Sequence, residues 1–335
     1  KAKPLFRGHN QPRVPTELGY YDLRLPEVRE QQAELAREAG VTAFCYWHYW
    51  FGNGKRLLER VFDEVLESGK PDFPFCLGWA NHSWYAKTWD KDSQKSDKLL
   101  MEQTYPGLED AKMHFGFLLK AFKDPRYVKV EGKPLLYIFN PQDLPLDYLS
   151  LFNKWSIESG FGGVFFVAQL SPLEEVNTYI EKGFDAVSYQ RLTNIFVHEK
   201  IKGQNFGIKV LHKIKCLFSG YPSNIYNYKD CIDKMIQPVD SLNTVIPTIV
   251  PQWDHTPRSG EKGTAFVEAT PQNFYIHAKN AIDVIKNKPQ SRQLIFLKSW
   301  NEWGEGNMIE PDLTYGRGFL ESLKKAINEH SVNSI

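Results

Sequence analysis

Seven short apolar runs punctuate the chain, at 42–47, 73–79, 134–139, 164–169, 185–189, 244–251 and 293–299. Each is nearly continuous rather than alternating, the pattern of a strand buried on both faces, and such strands occur almost only in parallel sheets covered by helices. The stretches between them carry helical spacing. Val28, Leu35, Ala36 and Ala39 line a helix that Gly40 ends, and Leu57, Leu58, Val61, Phe62, Val65 and Leu66 line a second, stopped by Gly69 and Pro71. Further helical patterns run near 109–123, 145–159, 173–182, within 209–237, 272–286 and 317–329. Strand and helix thus alternate as βαβ units. Helices outnumber strands by one and the order opens on a helix, so the pattern predicts an α/β fold, a (β/α)8 TIM barrel whose first strand lies upstream of Lys1. The opening stretch 1–23, with Pro4, Pro12 and Pro15 and no periodicity, is expected as the loop after that strand, on the active face. No linker or internal repeat divides the sequence, so 1–335 reads as one barrel domain with a loop-rich insertion at about 191–240.

The 335 residues suit a barrel of about 250 plus insertions. Lys and Arg number 41 against 40 Asp and Glu, a net charge of +1 that creates no field to gather nucleic acid or an anionic membrane. No apolar run approaches the ~18 residues of a membrane span. The cysteines, at 45, 76, 216 and 231, are too scattered for a disulfide framework or a zinc site. Cys45 and Cys76 lie inside apolar runs and read as buried thiols, which points to a reducing, cytoplasmic setting and leaves the periplasm or secretion open. Aromatic residues make 14% of the chain, and many tryptophans stand beside polar side chains. Such clusters suit sugars, whose C–H faces stack on indole while their hydroxyls need fixed partners.

In a parallel barrel the site lies where strands end. The strand ends here read Trp47-His48-Tyr49-Trp50, Trp79-Ala80-Asn81-His82-Ser83-Trp84, Asn140, Gln169, Tyr189-Gln190, Gln252-Trp253-Asp254 and Trp300-Asn301-Glu302-Trp303-Gly304-Glu305. One such residue is usually an ordinary aromatic or cap; the recurrence at all seven ends points to a binding mouth. Glu302 and Glu305 carry the sharpest signal. Residues at i and i+3 of a strand face opposite ways, so both carboxylates reach one pocket only if the chain turns, which Gly304 and Gly306 permit. Two carboxylates in an aromatic cleft tend to split into a base and an acid, the pair that glycosidic cleavage needs. His48 and His82 lack a third ligand at metal spacing and are read as hydroxyl partners. Asn81-His82-Ser83 matches a glycosylation sequon, at a strand end unsuited to a glycan. Asp90-Lys91-Asp92 has the spacing by which some glycosyltransferases hold a metal and a nucleotide diphosphate, in a loop where a solvated acidic pair is commoner. No glycine-rich phosphate fingerprint is present, so no nucleotide cofactor is expected.

Three stretches, LGYYDLRLPEVREQQAELAREAGVTAFCYWHYWF, GKPDFPFCLGWANHSW and LKSWNEWGEGNMIEPDLTYGRGFLESL, resemble the WbsX-like family over nearly the whole chain. That family, named for polysaccharide-biosynthesis glycosyltransferases, is similar to glycoside hydrolase family 99, the endo-α-mannosidases and endo-α-mannanases. The resemblance implies a (β/α)8 barrel, no metal and no cofactor, and a retaining mechanism. An N-E-W-x-E-G motif falls on Glu302 and Glu305, implying Glu302 as base on the sugar's own 2-hydroxyl and Glu305 as acid to the leaving oxygen. Two departures stand out. Relatives usually begin with a strand ending in a tyrosine, proline and histidine cluster, and many read N-E-N-W where this chain has Asn81-His82-Ser83-Trp84.

The resulting expectation is a metal-independent retaining endo-glycosidase that cuts α-linkages in a mannose-like glycan or bacterial surface polysaccharide. Trp47, Trp50, Trp79, Trp84, Trp253 and Trp303 are candidate stacking platforms, about half of which should line the pocket. Asn81, His82, Gln190, Gln252, Asp254 and Asn301 are candidate hydroxyl partners, with His48, Tyr49, Tyr189 and Trp300 beside them. The alternatives are a glycosyltransferase of lipopolysaccharide, O-antigen or capsule assembly, and a carbohydrate-binding protein without turnover. The expected partner is an oligosaccharide or polysaccharide, not nucleic acid; oligomeric state is left open.

Overall fold

The structure, a computed structural model, describes residues 2–86, 98–171, 174–192, 195, 214, 217–218, 222 and 224–332. Seven parallel staves form its centre: β1 (Phe44–His48), β2 (Phe75–Trp79), β3 (Lys133–Ile138), β4 (Phe165–Leu170), β5 (Ala186–Tyr189), β6 (Thr248–Ile249) and β7 (Phe296–Leu297). They coincide with the seven apolar runs. β1 to β5 are hydrogen-bonded in that order, all parallel. A parallel bridge from Val187 to Val245 carries the order on to β6, which pairs with β7. Every residue of β2 and of β5 is buried, as a continuous apolar run requires when helices cover one face and the opposing staves the other.

The covering helices are α1 (Pro26–Glu38), α2 (Arg60–Ser68), α3 (Leu108–Phe122), α4 (Leu146–Glu158), α5 (Val176–Glu181), α6 (Tyr228–Met235), α7 (Thr256–Ser259), α8 (Pro271–Ile285) and α9 (Gly318–Val332). The largest core lies between β1–β5 and α2–α5, around Phe75, Leu77, Leu118, Leu136, Phe152 and Val167. A second joins α1, α8 and α9 through Leu35, Phe274 and Phe319. α2 begins later than its spacing predicts: Leu57 and Leu58 precede it, and Leu58 is exposed at a positive φ of 56°.

Among the described residues, no backbone pairing joins β7 to β1; the rings of Phe44 and Trp300 meet there, 5.3 Å apart. Burial along β1 alternates, with Cys45 and Trp47 exposed. Cys45 therefore departs from the expectation of a buried thiol: among the described residues it lies with Trp47 on the more open face of β1, whereas Cys76, its neighbour in register on β2, is buried. The N-terminal stretch crosses the strand ends and is clasped by Thr16 N–H to Pro311 O and Leu313 N–H to Val14 O. Asp90, Asp92, Cys216 and most of the expected insertion fall outside the described residues.

Candidate active site

Beyond β7 the chain forms a two-residue strand, Asn301–Glu302, paired antiparallel with Asn307–Met308, and a tight 3-10 turn at Trp303–Glu305 joins them. The turn closes on Gly306 in the left-handed region at φ 53°, where a Cβ would come within 2.8 Å of the Asp254 Cβ. The Asp254 N–H donates to the Glu305 carbonyl at 2.7 Å and pins the turn to the end of β6. Leaving the strand here brings both carboxylates to one side. Arg258, on α7, donates to Glu302 Oε1 at 2.7 Å and to Glu305 Oε1 at 2.9 Å. Gly304 makes room for it, since a Cβ there would lie 2.8 Å from Arg258 Nη2.

Burial raises the Glu302 carboxyl above its ordinary range; Arg258 opposes that rise and the neighbouring Glu305 adds to it. Lys298 lies beside the pair, its pKa lowered by burial against the pull of Glu305 and Glu302, with Nζ 5.6 Å from the Trp253 ring centre. His255 stacks on Trp253 and sets Nε2 3.8 Å from Glu305 Oε1. Burial first, and then the charge of Glu302, raises the pKa of Tyr49.

Aromatic side chains continue this surface. Trp47, 46% exposed, packs edge-on against Tyr137 and Phe139, and His82 lies 4.9 Å from Phe139. Tyr49 meets Trp84 edge-on at 5.1 Å. Trp303 donates to Glu310, which also accepts from Tyr21 and Gln32, and Asn301 donates to Tyr21. Glu310 is 2% exposed and burial raises its pKa, and through these hydrogen bonds its carboxyl anchors one indole of the motif inside the fold. Glu302, Glu305, Trp47, Tyr49, His82, Trp84, Gln190, Trp253, Trp300, Asn301 and Trp303 all keep some solvent access.

Seven other expected contact residues are buried, and their polar atoms are spent inside the fold. His48 Nε2 faces His114 Nε2 at 2.9 Å, and burial drives His48 down to about 3 and His114 well below its ordinary value. Trp50 donates to Asp110, and Trp79 donates to the Trp50 carbonyl. Asn81 ties strand ends together by donating to the Asn140 carbonyl and accepting from its N–H. Tyr189 donates to the Glu174 carbonyl. Gln252 donates to the Met308 carbonyl and accepts from Arg13. Asp254 accepts from Gln11, from the Thr256 N–H and from its hydroxyl, and pairs with His9. The expectation of sugar contact does not carry over to these residues. Strand-end position alone cannot separate a side chain aimed into the mouth from one aimed between sheet and helices.

Residues that sequence reasoning missed are Arg258, Lys298, His255, Phe139, Tyr21 and Glu310. Lys298 and Glu310 flank the quoted motif within a few positions; Arg258 carries no local signal, because only the return of the chain after β6 sets it over the glutamates. Among the described residues there is no group of three or more His, Cys, Asp or Glu that could hold a metal ion.

The chain is similar to a glycoside hydrolase-like protein of known structure, at TM-score 0.60 and 16% identity over 95% of this chain and 89% of that one. It is similar as well to the GH99 endo-alpha-mannosidase from Bacteroides thetaiotaomicron, at TM-score 0.59 and 15% identity over 96% of this chain and 85% of that one. These likenesses show the fold, that of a TIM-barrel enzyme. Among curated sequences it is 29% identical over 330 residues to the uncharacterized protein WxcX of Xanthomonas campestris pv. campestris (strain B100), covering 98% of this chain and 45% of that protein. It thus spans about half the length of the curated relatives it matches. The Glycosyltransferase WbsX family matches residues 1–323, and the chain belongs to that family.

Proposed function

We propose that the chain is a carbohydrate-active enzyme, a metal-independent retaining glycosidase cutting internal α-linkages of a mannose-like glycan or bacterial surface polysaccharide. The observation that carries this reading is the single guanidinium of Arg258 bonded to both Glu302 and Glu305, because it sets the two carboxylates on one side of one cleft. Carboxylates so placed are poorly disposed to attack a sugar from opposite faces, so the substrate's own 2-hydroxyl supplies the nucleophile. Glu302 takes the 2-hydroxyl proton, O2 bonds to C1, and the C1–leaving-group bond breaks as Glu305 gives that oxygen a proton. In the second half, water adds to C1 and gives its proton to Glu305, and the C1–O2 bond opens as Glu302 returns its proton to O2. Two inversions leave the configuration retained. A proton affinity raised by burial suits Glu302 to take the 2-hydroxyl proton. The exposed Trp47 face supports a sugar-stacking wall.

A second reading, a glycosyltransferase using the same glutamates on an activated donor, is favoured by the family's own description. Proton NMR of wild-type and Glu305→Gln protein mixed with α-mannans and bacterial polysaccharides separates them. New reducing-end α-anomeric signals from the wild type alone are expected of a retaining hydrolase, with Glu305→Gln losing about 10²–10⁴ in rate. Silence from folded wild type across the panel refutes the hydrolase and leaves activated donors as the substrates.

A further inference from the structure

Two cations at the glutamate pair have more hydrogen-bonding capacity than the protein uses. Arg258 carries five N–H donors, of which one on Nη1 goes to Glu305 and one on Nη2 to Glu302. Lys298 carries three, and among the described residues its Nζ has neither hydrogen bond nor ion pair; it sits above the Trp253 ring. The half-buried Lys298 ammonium, with no accepting oxygen among the described residues, is open to a ligand that supplies one. The nearest carboxylates do not do so: Glu302 and Glu305 act on Lys298 through space only, and Asp254 is turned away onto His9, Gln11 and Thr256. Arg258 is 41% exposed at its side chain, so its unused donors are open to the cleft. Bridging the two glutamates occupies two of the Arg258 donors; cleavage of a neutral mannoside gives no task to its other three or to the Lys298 ammonium. A planar or tetrahedral oxyanion, with two or three acceptor oxygens, fits the guanidinium fork and the adjacent point charge together.

We propose that Arg258 and Lys298 form an anion subsite beside the reacting bond, so that the substrate is an acidic glycan or sugar phosphate bearing a carboxylate or phosphate oxyanion there. The proposal rests on the reading of this cleft as a glycan site and narrows it.

NMR titration of the purified protein with four probes tests it: methyl α-mannoside, its 6-uronate, α-mannose 1-phosphate, and inorganic phosphate as the bare anion. One of the two charged sugars is expected to bind wild type about 10- to 100-fold more tightly than methyl α-mannoside, the gain of charge-assisted bonds. That preference should collapse in Arg258→Gln and in Lys298→Met and survive in part in Arg258→Lys, with circular dichroism establishing that each variant is folded. Tighter binding of the uronate assigns an acidic sugar, and tighter binding of mannose 1-phosphate a glycosyl phosphate. Equal affinity for charged and neutral mannosides overturns the subsite, as does an anion preference that survives both neutral substitutions or a wild type that binds none of the four. The glycan reading fails separately: inorganic phosphate would then bind with the same dependence on Lys298 while no mannoside binds.

Discussion

Replacing Asp254 with alanine tests whether the N-terminal stretch and the turn carrying Glu302 and Glu305 are held by one buried carboxylate. Asp254 is 1% exposed and accepts from Gln11 at 2.6 Å, from the Thr256 N–H at 3.0 Å and hydroxyl at 2.6 Å, with His9 at 2.8 Å. These bonds hold its pKa below the ordinary carboxylate value although burial works the other way. A hydrogen bond to a charged group contributes about 1.5–3 kcal/mol, but neighbours in one network are not additive. Removing one partner of a buried charged network costs about 3–5 kcal/mol, and that is the expected loss for Asp254→Ala. Urea unfolding at pH 7 measures it, and limited proteolysis reads the release of residues 2–25. A loss below about 1 kcal/mol, or an N-terminal stretch as protected as in wild type, refutes the idea that Asp254 is the clasp. The stability Asp254 contributes is present above its unfolded value near 3.9 and is lost as pH falls through the lower folded value, so wild type and variant should converge in acid.

Trp47→Ala is expected to leave stability within about 0.5 kcal/mol and to weaken glycan binding by about 1 kcal/mol, roughly fivefold, whereas Trp79→Ala should cost about 3–5 kcal/mol of stability; calorimetry and urea unfolding separate the two. Glu310→Gln sets an amide N–H against donors from Trp303, Tyr21 or Gln32 and should lose about 1–3 kcal/mol, with a change in tryptophan fluorescence; an unchanged urea midpoint would count against its anchoring role. His48 and His277 are held neutral by burial, each down to about 3, so the unfolded chain takes up their protons first as pH falls below about 6.5. Stability should therefore fall between pH 6.5 and 3, each histidine adding a slope of up to about 1.4 kcal/mol per pH unit, and a urea midpoint flat from pH 7.5 to 5 would refute the assignment.

The seven staves were legible in the sequence as near-continuous apolar runs, the local signature of parallel strands packed under helices, and it held even for β1, one face of which is exposed. The turn at Glu302 and Glu305 was legible from the glycines at 304 and 306, which let the chain leave the strand between the two carboxylates. Which strand-end residues face the mouth was not legible. Trp47 and Trp79 look alike in sequence, yet the first is 46% exposed and the second 1%, because alternate residues of a stave point to opposite layers and the phase depends on register with β2 and β3. His48 and Asp254 likewise became interior only when His114 on α3 and His9 in the opening stretch arrived beside them. Arg258 stands 44 and 47 positions from the glutamates it bridges, a separation at which chain order carries no information about charge contact. The sequence by itself determined the strands, the helices and the carboxylate pair, since these depend on neighbours along the chain. Only the tertiary structure decided the electrostatics of the site, since those depend on what folding brings within a few ångströms.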